Sequence, residues 1–194
     1  MASDGCHRHQ LYEPETARVN LFKYFSMALL LAWLQPGLAE GVSEGRITSA
    51  YVLNFAKFVE WPAGTVWADD KLTLCVVGNN VLGGALSELD GRKAGSRELR
   101  VVQRTNADDS LSGCHLVFIG ESERKRAVPI IRALGESPSL TISDIEDFAE
   151  KGGCIGLLYQ QNKMVFEVNL ASAQRSKLRL PGQLLNLASI VFGR

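Results

Sequence analysis

A single α/β domain with one central sheet, mixed and largely parallel, and with helices on both faces is the fold class this sequence predicts. Three observations predict it. Short apolar runs of strand length, at residues 71–78, 115–120 and 139–143, alternate with stretches whose apolar residues recur at helical spacing. That order requires crossover connections and so gives parallel neighbours. Two later strand-like runs, 155–160 and 164–170, are separated only by Gln161-Asn162-Lys163, a hairpin that adds antiparallel strands. Finally, 194 residues with 46% hydrophobic and 22% charged content suit one domain with its own core.

The first segment is read as a leader outside the fold. Residues 1–24 are polar and carry Arg8, Arg18 and Lys23, and an apolar run follows at 25–34. That run is too short for a bilayer, which needs roughly 20 residues. Gln35-Pro36 breaks it, and Gly37 and Ala39 supply the small residues a signal peptidase reads. The expectation is a signal peptide, 1–39, cleaved after Ala39, with export to the periplasm of a Gram-negative cell. The α/β domain then covers 45–194. Cleavage removes three acids (Asp4, Glu13, Glu15) with those three basic residues, so the net charge of zero is unchanged. His115 is the histidine that remains, and Cys75, Cys114 and Cys154 are the cysteines.

Within the domain, Ile47, Ala50, Tyr51, Phe55, Phe58 and Val59 mark a helix over 47–60, ended by Trp61-Pro62 because the residue before proline is pushed out of the α region. After the strand at 71–78, Asn79 is placed to cap a helix through about Leu89. Residues 98–104 alternate as a strand, and 122–134 read as a helix that Pro129 kinks or splits. An acidic helix is expected over 144–151, stopped by Gly152-Gly153. Two helical stretches, 171–177 and 182–192, close the chain on either side of Pro181.

The blocks Asn54-Phe55-Ala56-Lys57-Phe58-Val59-Glu60-Trp61-Pro62, Leu140-Thr141-Ile142-Ser143-Asp144, Gly152-Gly153, Val165-Phe166-Glu167-Val168-Asn169 and Leu184-Leu185-Asn186-Leu187-Ala188 occur in that order. Together they resemble the YfiR family of periplasmic repressors of membrane diguanylate cyclases, over nearly the whole exported chain. The resemblance implies a non-enzymatic negative regulator. Its partner would be the periplasmic sensor part of an inner-membrane diguanylate cyclase, with an outer-membrane lipoprotein as a further partner, and it would lower cyclic di-GMP output and biofilm formation. It also implies a Cys75–Cys114 disulfide. The positions alone allow either that bridge between two strands or two buried reduced thiols. Cys154 is then left over, either buried or linking two chains as a homodimer.

Other chemistry finds little support. With 21 basic and 21 acidic residues there is no positive excess to meet phosphates, so nucleic acid is not an expected partner. The loop Val76 to Gly84 matches neither the Walker nor the dinucleotide spacing and lacks a phosphate-binding lysine. His115 cannot complete a catalytic zinc set alone, and Asp144, Glu146, Asp147 and Glu150 read as a solvated helix face. A serine triad would have only His115 as base, with no Gly-x-Ser-x-Gly elbow. The expectation is no metal, no cofactor and no catalytic residue. Trp61 and Trp67, flanking Pro62-Ala63-Gly64, are the expected partner surface, and the apolar run at the C-terminus is either deeply docked or partner-binding. The alternative function is an exported small-ligand sensor with no cyclase partner.

Overall fold

Residues 43–79, 81–104, 110–161 and 163–193 are described in this computed structural model, and the expected leader, 1–39, lies outside them. Helix α1 (Glu44–Phe58) is started by Ser43, whose Oγ accepts from the Arg46 N–H at 3.4 Å, and by Glu44 at its positive end. Val52, Phe55, Ala56 and then Val59 form its buried stripe at i, i+3, i+4 spacing. The helix stops short of the expected Glu60, because that residue exchanges two backbone hydrogen bonds, both 3.0 Å, with Arg179.

The described strands form one sheet in the order β2-β3-β1-β4-β5-β6-β7-β8. β1 (Lys71–Val77) runs parallel to both β3 (Arg97–Arg104) and β4 (Leu116–Ile119). β5 (Leu140–Ser143) and β6 (Ile155–Gln160) continue the parallel run. β2 (Lys93–Ala94) is antiparallel to β3, and β7 (Lys163–Asn169) to β6, while β8 (Ile190–Phe192) runs parallel to β7. This is a mixed α/β domain whose sheet combines both senses: beyond the expected hairpin, a second antiparallel pair sits at β2–β3 and an unforeseen strand at the far side.

Alternation along the central strands creates two cores. Leu74, Val76, Leu116, Phe118, Leu140 and Ile142 face α1 and the later segment carrying Leu178, Leu180 and Leu184. Cys75, Val77, Val117 and Ile119 face α2 (Ala127–Leu134), which contributes Ala127, Ile130 and Leu134, together with Ile145 and Phe148. A helix therefore packs against each face.

Several expected helices take other forms. In place of the helix expected from Asn79 to Leu89 the described residues make two short 3-10 turns, Val81–Gly84 and Ser87–Leu89, because Leu82, Gly83 and Gly84 all have positive φ and cannot propagate an α-helix. The Asn79 N–H donates to Ser122 Oγ at 3.1 Å instead of opening a helix. The stretch 122–134 is divided into a 3-10 turn, Glu121–Glu123, and α2, with Pro129 in the first turn, where its missing N–H costs no intrahelical bond. Residues 144–151 are turns, with Asp147 at φ 59, so the acidic helix is not formed.

At the C-terminal end, Asn169 Oδ1 accepts from the Ser172 N–H at 2.9 Å and caps α3 (Leu170–Arg175). α4 (Gly182–Leu187) ends when Ala188 turns extended, and residues 190–192 pair with β7 as a strand rather than continuing the expected helix to 192. The β-branched and aromatic Ile190-Val191-Phe192 favour that outcome.

Candidate functional site

Residues 59–70 join α1 to β1, and this connection carries both tryptophans singled out from the sequence. Trp61 and Trp67 are half-buried and meet edge to face, ring centroids 5.8 Å apart. Trp67 also stacks on His115, centroids 4.4 Å apart and planes within 13°. The Arg97 guanidinium from β3 lies 4.1 Å from the centroid of the Trp67 ring, a cation–π contact.

His115 itself is 4% exposed. Its Nδ1 accepts from the Thr73 N–H at 3.0 Å, so the proton sits on Nε2, which donates to the Val66 carbonyl, also at 3.0 Å. Burial holds the imidazole below its ordinary pKa; the Val66 bond opposes that effect and the Arg97 charge reinforces it. The residue that sequence reasoning weighed as a zinc ligand or catalytic base is thus a neutral strut pinning the 59–70 connection to the sheet. Among the described residues no group of three or more His, Cys, Asp or Glu side chains is placed to hold a metal.

On the other face, Cys75 and Cys114 form a disulfide with a Cα–Cα distance of 5.7 Å. Both residues are buried in the core beneath α2. Cys154 is free and buried, and burial pushes its thiol pKa up. Asp144 lies at the end of β5, where burial raises its carboxyl above the usual range and leaves Oδ1 without a hydrogen-bond partner. Glu146, Asp147 and Glu150 sit on the turns that follow, and Asp147 pairs with Lys151 at 3.3 Å.

The C-terminal run divides. Leu184 is buried against α1 and the sheet, whereas Leu187 and Ile190 are 74% and 46% exposed, beside the last strand of the sheet. Sequence reasoning singled out the two tryptophans as a partner surface but not Arg97 or the stack on His115, because those partners meet only through sheet pairing and leave no local signal. It also missed which of the C-terminal apolar side chains remain outside the core.

A family model described as YfiR/HmsC-like matches residues 45–189. Two solved structures share the fold. One is a conserved domain protein from Vibrio cholerae O1 biovar eltor, 11% identical, TM-score 0.50, covering 77% of this chain and 60% of that one. The other is the ABC domain from Streptococcus pneumonia in complex with L-Trp, 9% identical, TM-score 0.50, covering 72% and 59%. The chain spans about three fifths of the length of the solved structures it matches. Identities this low bear on the fold alone.

Proposed function

Because this chain belongs to the YfiR/HmsC-like family, we propose that it is an exported, non-catalytic repressor that binds the periplasmic sensor part of an inner-membrane diguanylate cyclase and lowers cyclic di-GMP output. The observation that carries an interaction role is the apolar C-terminal edge: Leu187 is 74% exposed, Ile190 46%, and β8 is the last strand of the sheet among the described residues. Large aliphatic side chains exposed at such an edge are a common protein-contact surface. Repression needs no chemistry. The protein has only to bind the inactive conformation of the sensor better than the active one, and about 5.5 kcal/mol of differential affinity moves such an equilibrium from 1:99 to 99:1. An outer-membrane lipoprotein as a further partner, and a homodimer, fit the same reading.

Deleting the gene should raise cyclic di-GMP and surface attachment, and the intact gene should restore the parent level. Leu187→Lys should be exported and folded normally, since an exposed substitution of this kind costs within about 0.5 kcal/mol, yet fail to restore repression. Unchanged cyclic di-GMP on deletion, with the cyclase expressed, would remove the repressor reading.

A further inference from the structure

A cavity of about 260 Å³ opens between the end of α1 and the β2–β3 hairpin, lined among others by Lys57, Val59, Trp61, Trp67, Leu72 and Arg97. Two of these side chains carry buried N–H groups that make no hydrogen bond. Trp61 Nε1 has no hydrogen-bond partner. Arg97 Nε lies 3.1 Å from Asp70 Oδ1, close enough for an ion pair, but it too makes no hydrogen bond. Buried donors are almost always satisfied, and each one left alone costs free energy that a bound acceptor recovers. Lys57, exposed at the rim, has no ion-pair partner among the described residues. Glu60, the acid in the lining, is engaged by Arg179 at 3.6 Å.

Indole, guanidinium and ammonium groups are donors only. A wall offering these three, with Val59, Leu72 and the tryptophan faces supplying apolar surface, complements a small molecule with acceptor oxygens at one end and a flat apolar body at the other. We propose that this cavity binds a small monocarboxylate of that kind, its carboxylate taking the Trp61 and Arg97 N–H groups and lying near the Lys57 ammonium. The site is separate from the C-terminal edge assigned to a protein partner, and it stands whether or not that partner is a cyclase.

Benzoate is a suitable probe, with benzyl alcohol as the uncharged match and inorganic phosphate as the anion without a body. In calorimetric titration of the purified full-length chain, benzoate should bind, and both controls should bind at least about tenfold more weakly. Amide chemical-shift changes should centre on residues 57–61 and 94–97. Trp61→Phe keeps an aromatic side chain and removes the N–H, and Lys57→Gln removes the rim charge from an exposed position. Each should weaken benzoate by about tenfold, as expected for a hydrogen bond or ion pair to a charged group, and Lys57→Gln should do so without shifting the melting temperature appreciably. Absence of benzoate binding, equal binding of benzyl alcohol, undiminished binding by both variants, or shift changes mapping elsewhere would each overturn the proposal.

Discussion

At His115 the two ring hydrogen bonds dictate a pH dependence. The folded state requires a neutral imidazole, since a proton on Nδ1 would face the Thr73 N–H that now donates to it at 3.0 Å. The charged group acting on the ring is Arg97, which also disfavours protonation, and burial holds the pKa below its ordinary value. The unfolded chain, titrating near the usual value of about 6.5, therefore takes up a proton more readily than the folded one. The contribution of His115 to stability is complete above that pH, is lost as the pH falls through it toward the folded pKa, and is not lost further below. Melting temperature measured across this window should drop on acidification in the parent and drop less in His115→Gln, whose amide can both accept and donate. Equal slopes would show that the His115 contacts do not govern the response. None of this was legible in the sequence, where His115 stood out only as the remaining histidine, weighed as a zinc ligand or catalytic base. Gly153 is the opposite case. The Gly152-Gly153 pair was read as a stop signal, and the structure gives each residue a distinct reason: Gly152 sits at φ 104, while the Phe148 ring occupies the space a Cβ on Gly153 would need.

The elements that could be read in advance are those whose pattern matches their burial. β4 and β5 are buried throughout and β1 over its last four residues, because the sheet is covered on both faces there; β3 showed by alternation, and the β6–β7 hairpin announced itself by its short polar connection. Where the reading failed, a backbone conformation overrode a plausible pattern. Leu82 and Asp147 adopt positive φ, which composition does not disclose, and each ends a helix before it begins. The C-terminal strand was hidden because its apolar residues continue the pattern of α4 without a break. The disulfide acts at this scale, tying β1 to the loop that leads into β4 across a sequence separation of 39. Closing a loop of that size is worth roughly 4 kcal/mol in the chain-entropy model. Cys75→Ser or Cys114→Ser should therefore cost about 2–5 kcal/mol, seen as a lower denaturant midpoint. Cys154→Ser, which breaks no covalent link, should cost less. Parent-like midpoints in the first two variants would mean that the bridge contributes little to the fold.

For the whole molecule, the bridge and the proposed activity both depend on where the chain ends up. Disulfides persist in oxidising compartments such as the bacterial periplasm and are rare in the cytosol. A periplasmic repressor must also reach the outward-facing part of its target. Residues 1–39 supply the means in the reading proposed here: a short apolar run at 25–34, then Gly37 and Ala39. Protein released by osmotic shock should then begin at Glu40 or within a few residues of it, as N-terminal sequencing would reveal. A version starting at Glu40 behind a new initiator methionine should stay in the cytosol, hold Cys75 and Cys114 reduced to thiol reagents, and fail to lower cyclic di-GMP in a deletion strain. The same version given an unrelated cleavable signal should regain all three properties, which separates the address from the fold. If instead the cytosolic version restored repression, or if intact Met1 were found in the cytosolic fraction of the parent, the target would have to be met inside the cell and the export reading would be lost.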